Sequence, residues 1–334
     1  MKNKSMLKKI IGFREAGVVL PLIVLVIIFS FTTDIFLTGN NLINITRQIS
    51  IKALLAIAMT FVIITGGIDL SVGSVISFAG IITASMMKDC NLPVAVAVLI
   101  GIGIGGLTGL VNGLLIAYMN MPAFITTMGT MTILRGLGYI YTQGYPIYDL
   151  PNSFKFIGQG YIGIIPTPVV ILIMVTALAW IILSRTVFGR HIYAIGGNSE
   201  AAGMAGIRVK RTQLYVYIIS GLISGLAAVV QAARVGSGLP TIGNGFEMDA
   251  IASVVIGGAA MSGGSGTILG TLLGAVILGV LDNGLSLMDV DSYVMTVISG
   301  IVVILAVLID QVRVIMKKNS QIKETKANLK AEKQ

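Results

Sequence analysis

One cysteine and one histidine occur in 334 residues. Cys90 alone cannot close an intrachain disulfide or supply a CxxC metal or redox motif. His191 alone excludes histidine-cluster metal sites, and its place in a polar loop excludes a Ser-His-Asp site inside the membrane. Charge is scarce as well. Asp, Glu, Lys and Arg make up 11% of the chain, against ~25% in an average soluble domain, too little to cover a water-facing surface. No Gly-x-x-x-x-Gly-Lys-Ser/Thr phosphate loop is present, so ATP chemistry of that kind is excluded here.

What is present is apolar sequence in long blocks. Residues 16–33, 70–87, 91–134, 156–184, 212–233, 250–281 and 292–309 contain no Asp, Glu, Lys or Arg. A charge-free run of ~18 or more apolar residues is the length signal for a membrane-crossing helix. The sequence therefore predicts an all-α polytopic membrane protein. About ten spans are expected, near 16–36, 48–66, 70–88, 93–117, 123–142, 164–184, 213–234, 249–261, 266–285 and 292–310. The eighth is too short to cross unaided. Gly257, Gly258, Gly263, Gly264 and Gly266 around its end suit a broken helix and an irregular turn buried in protein. The first apolar stretch has no small-x-small cleavage site after it, so an uncleaved first span is expected.

The net charge of +9 raises the question of nucleic-acid binding, and the placement of the charges argues against it. Of 23 Lys and Arg residues, five lie within residues 1–14, five within 185–211 and seven from Arg313 onward. Clusters at chain ends and in one central loop are what the positive-inside rule requires of cytoplasmic segments. An even span count puts both ends and the central loop on one side, with Asp289 and Asp291 on the other. The expected organisation is a basic cytoplasmic N-terminus over 1–15, a membrane domain over 16–311 with a cytoplasmic loop at 185–212, and a basic cytoplasmic tail over 312–334.

The 41 glycines have a physical use in lipid, where small residues let helix backbones approach closely. Gly101, Gly105 and Gly109 fall at four-residue spacing, as do Gly266, Gly270 and Gly274, and each triplet is expected to line one side of a helix. Tight static packing and a moving helix pair are both compatible with them. A faint echo links Ile68-Asp69-Leu70-Ser71-Val72-Gly73 to Met248-Asp249-Ala250-Ile251-Ala252-Ser253.

In the central loop, Asn198 or Ser199 can cap a short helix, Glu200 suits its first turn and Gly206 stops it. A helix of under two turns is unstable alone in water and needs a surface to hold it. Glu200-Ala201-Ala202 with Gly206 four residues on resembles the EAA-x-x-x-G loop of ABC importer permeases. The Ile and Leu-Pro of the longer consensus are missing here. Thr65-Gly66-Gly67-Ile68-Asp69-Leu70-Ser71-Val72-Gly73 is similar to the GIDLSVG signature of ribose-type sugar permeases. Phe124-Ile125-Thr126-Thr127-Met128-Gly129-Thr130 with Arg135-Gly136 resembles that group's F-I-x-T-L segment and following Arg-Gly. Phe246-Glu247-Met248-Asp249-Ala250-Ile251-Ala252 resembles its E-L-D-A-I-A segment. The similarity runs from about residue 16 to 311.

The resemblance implies the membrane subunit of a binding-protein-dependent ABC importer for a ribose-like or related simple sugar, in a bacterial cytoplasmic (inner) membrane. It implies that no catalysis or cofactor belongs to this chain, with ATP and Mg held by a separate ATPase subunit. The other expected partners are an extracytoplasmic sugar-binding protein, a second permease copy or a paralogue, and the lipid bilayer, with no nucleic acid. The coupling helix would present Asn198, Glu200, Ala201, Ala202 and Gly206 to the ATPase. A path or gate is expected among Asp69, Ser71, Asn112, Phe124, Thr127, Arg135, Glu247 and Asp249.

The residues also have readings of their own. Asp69 suits the translocation path, a partner across helices, or a cap for the amides opening the third span. Arg135 reads as the deepest basic residue and must be paired or face water, with Asp249, Glu247 and Asp282 as candidate partners. Other classes remain to be weighed against the importer: a permease for a nucleoside or sugar-like signal, and an ion-coupled secondary transporter. The latter would place titratable groups at mid-membrane.

Overall fold

The computed structural model describes residues 16–308 and residue 312. The expected basic N-terminus (1–15) and nearly all of the tail (312–334) lie outside the described residues. The described chain is almost wholly helical. Helix α1 covers Ala16–Thr32, α2 Gly39–Ile64, α3 Val72–Lys88, α4 Val94–Ala117 and α5 Ala123–Thr142. A short α6 (Asn152–Gln159) and a two-stranded hairpin, β1 (Tyr161–Ile162) with β2 (Ile165–Pro166), precede α7 (Thr167–Arg185). Two short helices, α8 (Val187–Gly197) and α9 (Ser199–Met204), lead into α10 (Val209–Val235). Helices α11 (Phe246–Ile256), α12 (Ile268–Leu287) and α13 (Ser292–Leu308) complete the described chain. Five of these, α2, α4, α7, α10 and α12, are long and apolar enough to cross a membrane.

Helix α2 is the hub, packed by α10, α11, α12 and α7. Its residues from Ser50 to Ile64 are all buried, which is how a helix apolar on every side must sit. The helix begins at Gly39, nine residues before the expected start of that span. Asn40, Asn41, Asn44 and Arg47 hid its first turns from a hydropathy reading. Thr38 caps it, its hydroxyl accepting from the Asn41 N–H, and the Asn41 side chain exchanges two 3.0 Å hydrogen bonds with Asn283 of α12.

Glycine sets the closest helix contacts. A Cβ on Gly105 of α4 would stand 2.7 Å from both the Cα and the N of Gly225 on α10, and one on Gly221 would meet Gly105 O. Gly109 faces the same partner through the Tyr217 carbonyl. Gly101 sits where α10 (Val229) and, more closely, α3 (Thr83) both approach, so the triplet lines the α10 seam and at Gly101 also admits α3. The second triplet is corrected. Gly270 and Gly274 of α12 meet the backbone of Gly257 and Ser253, but Gly266 lies before the helix at φ +155°. Its Cβ position faces Ala259 and Ile64, in the turn that ends α11.

Two features depart from a pure helix reading. The Tyr161–Pro166 hairpin turns at Gly163, where φ is +64°, and a six-residue feature leaves no apolar run. Helix α6 lies between the expected spans 123–142 and 164–184, buries Phe154 and sets Gly158 against the Ala233–Arg234 backbone. Helix α11, the short eighth segment, has 11 residues, about 16 Å at 1.5 Å rise, half of a crossing.

Contacts group the segments into two ends. At one, the Gly264 N–H donates to Ile64 O (2.9 Å), Gly196 packs on Ile64 O, and the Tyr193 hydroxyl donates to Gly266 O (2.7 Å). Burial holds the Tyr193 phenol above its ordinary pKa, so it remains a donor. At the other, Arg47 donates to Gln159 O (2.6 Å), Gln159 to Arg234 O (2.9 Å), and Ile147 pairs with Gly238.

Candidate translocation and coupling sites

Asp69 stands in the short connection between α2 and α3, 1% exposed. Its Oδ1 accepts from the Ser71 N–H (3.0 Å) and hydroxyl (2.5 Å), and its Oδ2 accepts from Ser220 of α10 (2.9 Å). Asn112 of α4 donates to the Ser71 hydroxyl (3.0 Å) and accepts from Thr130 of α5 (2.6 Å). Thr127 donates to Ile68 O at 3.2 Å. Three helices, α4, α5 and α10, are thus tied to one loop. A buried carboxylate without hydrogen bonds is costly, and three donors answer that cost here. Helix α3 starts at Val72, and Ser71 makes no side-chain cap bond. The one backbone amide that Asp69 takes is Ser71's own, which precedes the helix, so Asp69 braces the connection and does not cap the first turn of α3.

Arg135 lies on α5 and pairs with Glu247 (2.9 Å) and Asn244 (2.5 Å) across to the start of α11. Of its three candidate partners only Glu247 is taken. Glu247 fits because Gly73 has no side chain: a Cβ there would strike Glu247 Oε2. Asp249 and Asp282 instead share Lys52 of α2, at 2.6 Å for Asp249 and in direct contact for Asp282. Lys52 also stands 5.5 Å over the Phe246 ring. This corrects the reading of Arg135 as the deepest basic residue, since the Lys52 side chain is 10% exposed and that of Arg135 29%. Lys52 falls outside the three basic clusters, a single charge near the start of the expected span 48–66, and nothing beside it in sequence marks a partner. An acid at each of two later helix positions and a lone lysine midway along α2 were the available signal.

A cavity of about 550 Å³ borders this triad, lined also by Gln48, Gln231, Arg234 and Asn244, with one wall from α13. Phe124 is not gathered with the other candidates; its side chain is half exposed on the outer face of α5.

Helix α9 hangs between α8 and α10. Of the two candidate caps, Asn198 holds the position, its side chain accepting from the Ala201 N–H at 2.9 Å. Ala202 is buried against the protein, while Glu200, Ala201 and Met204 are exposed, Met204 at 85%. Gly206, at φ +85°, takes the left-handed conformation that ends the helix. Arg185, Arg190, Arg208, Lys210 and Arg211 crowd the same end of the molecule.

The family model described as "branched-chain amino acid transport system / permease component" matches residues 41–307. The chain belongs to that permease family. The ribose import permease protein of Bacillus subtilis (strain 168) is 44% identical over 89% of this permease and 93% of its own length. The D-allose transport system permease protein of Escherichia coli (strain K12) is 37% identical over 93% and 97%. The galactose/methyl galactoside import permease protein of the same strain is 34% identical over 91% and 96%. No solved structure matches. The resemblance to ribose-type permeases thus holds over nearly the whole permease. The buried polar groups of the motif segments 65–73, 124–136 and 246–252 meet around one half-helix, α11, and the loop that opens α3.

Proposed function

We propose that this permease is the membrane subunit of a binding-protein-dependent ABC importer that moves a simple sugar, ribose-like or related, into a bacterial cell. The observation that carries the reading is the set of sugar permeases it resembles, at 34–44% identity over more than nine-tenths of their lengths. With no phosphate loop of its own, the permease depends on a separate ATPase for ATP and Mg, and it needs no cofactor. Sugar would arrive from an extracytoplasmic binding protein. A second copy or a paralogue would complete the pathway.

The proposed topology has ten membrane segments, with α11 as the incomplete one and α6, α8 and α9 outside the bilayer. The arginine-rich end bearing α8 and α9 then faces the cytoplasm, as the positive-inside rule favours, and both chain ends join it. The exposed face of α9, with Glu200 and Met204, suits docking into the ATPase. ATP-driven closure would push α9, and Gly196 would carry the push to Ile64 and the Gly263–Gly264 turn behind α11. The energy reaches the pathway as a shift between two packings.

A second reading rests on one observation: Asp249 and Asp282 meet Lys52 midway along α2, a cluster of ionisable groups of the kind an ion-coupled secondary transporter keeps within the membrane. Mild-detergent purification of tagged permease from its native membranes separates the two. The importer reading expects stoichiometric recovery of an ATPase, lost on Glu200→Arg or deletion of residues 199–206. Recovery of the permease alone, with sugar uptake driven by an ion gradient, would overturn it in favour of the secondary transporter.

A further inference from the structure

The cavity beside Lys52 collects polar groups that the fold leaves unused. Asp249 and Asp282 each give Oδ2 to Lys52, while neither Oδ1 takes a hydrogen bond among the described residues. Gln231 is 5% exposed, lines the cavity, and its Oε1 has no partner there. The more exposed Asn244 amide nitrogen and the half-buried Arg234 guanidinium make no hydrogen bond among the described residues, although Asn244 Oδ1 accepts from Arg135. A buried amide normally finds its partners within its own protein. Gln231 Oε1 is buried and open, and it faces a space that Asp249, Asp282, Arg234 and Asn244 also line, so a partner from outside the fold suits it.

The chemistry of that partner can be read from the walls. Two cations, Lys52 and Arg234, face two carboxylates, Asp249 and Asp282, so the formal charge sums to zero. A balanced wall discriminates against phosphorylated or otherwise anionic solutes, whose charge it would leave uncompensated. Open acceptors and open donors in the same shell match hydroxyls, which do both. The Phe246 ring adds an apolar surface. At about 550 Å³ the space lies within the ~300–1,000 Å³ of small-molecule sites.

We infer that this cavity is a binding subsite of the permease itself for a neutral polyhydroxylated solute, with Gln231, Asn244, Asp249 and Asp282 as its hydrogen-bonding residues. The inference rests on the sugar-import reading and adds to it a site on this chain, on the side away from α9. Solute leaving the binding protein meets this shell before reaching the Asp69 loop. Helix α13 forms one wall through Ser299 and Gly300, and a Cβ on Gly300 would meet nothing within 4 Å, so bulk can be added there without breaking an ion pair.

The test uses the full transporter, with its ATPase and binding protein, in proteoliposomes. Cys90, which is exposed, is first replaced by serine, and Ser299→Cys is added as a reporter. D-ribose, D-allose and D-galactose serve as probes, with L-leucine as the comparison. The expected result is that at least one transported sugar slows maleimide labelling of the reporter saturably, while leucine does not. Gln231→Leu should raise the protecting concentration about tenfold, the loss expected when a buried hydrogen-bonding group is removed. Gly300→Phe should abolish both protection and uptake while the complex still elutes as one species with its ATPase. Sugar uptake with no protection, and with both variants transporting normally, would overturn the subsite and leave the import reading intact. Protection by leucine alone would overturn the ligand class. If the unmodified transporter moves none of the sugars, the subsite falls together with the import reading.

Discussion

The absent side chain of Gly73 and the carboxylate of Glu247 use one space. A Cβ on Gly73 would collide with Glu247 Oε2 and stand 2.6 Å from Gly243 O. The last residue of the 67–73 segment therefore seats the acid that holds Arg135, and the start of α3 is keyed to the start of α11. Glu247 alone could swing aside, but the Gly243 carbonyl belongs to the backbone.

Gly73→Ala should destabilise the protein by ~1–3 kcal/mol, the usual range for overpacking a filled site, and should lower sugar uptake. Because the same space is at issue, combining it with Glu247→Ala, which empties that space, should be less than additive, with ~0.5–3 kcal/mol of coupling. Thermal unfolding of the two single variants and the double variant in detergent measures this. Strict additivity would contradict the shared space.

Lys52 neutralises two acids at once. Lys52→Met leaves Asp249 and Asp282 facing each other without a cation, and removing one partner of a buried ion pair costs ~3–5 kcal/mol. Loss of folded protein is expected, read as the monodisperse fraction after extraction. Adding Asp249→Asn and Asp282→Asn should restore folding, since no buried charge is then left alone. Transport need not return with it.

Gly103 and Gly105 are two residues apart on α4 and face opposite fates. A Cβ on Gly103 meets nothing within 4 Å, while one on Gly105 falls on the α10 backbone. Gly103→Ala should be neutral or stabilising by up to ~1 kcal/mol through helix propensity. Gly105→Ala should force the seam apart and cost ~1–3 kcal/mol. A melting-temperature comparison of the two variants checks the contrast.

The helical blocks were legible from the sequence because an apolar run without charge is a length signal. The glycine seam of α4 was legible for a similar reason, since four-residue spacing survives in one dimension. Helix α2 began earlier than expected because Asn41 hides its polarity against Asn283, a partner 242 residues away. Lys52 was passed over for the same kind of reason: one charge in an apolar run carries no mark of the two acids it will meet. The pairing of Arg135 with Glu247 rather than Asp249 follows from helical phase. Glu247 and Asp249 are two residues apart on α11, which puts them on different faces. Gly266 shared the spacing of Gly270 and Gly274, but Thr267 caps α12 after it. A residue before the cap cannot belong to the helix face.

Asp69 should depend on its acceptors more than on its charge. Asp69→Asn keeps one oxygen for Ser71 and turns a nitrogen toward the Ser220 hydroxyl, which can accept in place of donating. It should fold near wild type. Asp69→Ala strips three hydrogen bonds and leaves the Ser71 N–H unpaired, at ~1–3 kcal/mol for the orphaned donor. Expression and thermal stability of both variants, followed by uptake, separate a packing role from a charge role. An Asn variant that folds but does not transport assigns the charge to the cycle.

The measurement that tests the central claim most directly is sugar uptake into liposomes holding this permease, its ATPase and its binding protein. The account predicts accumulation of a simple sugar that requires ATP on the α9 side and binding protein on the opposite side, unaffected by collapsing ion gradients. Accumulation that proceeds without the ATPase and stops when the gradient is collapsed would contradict it.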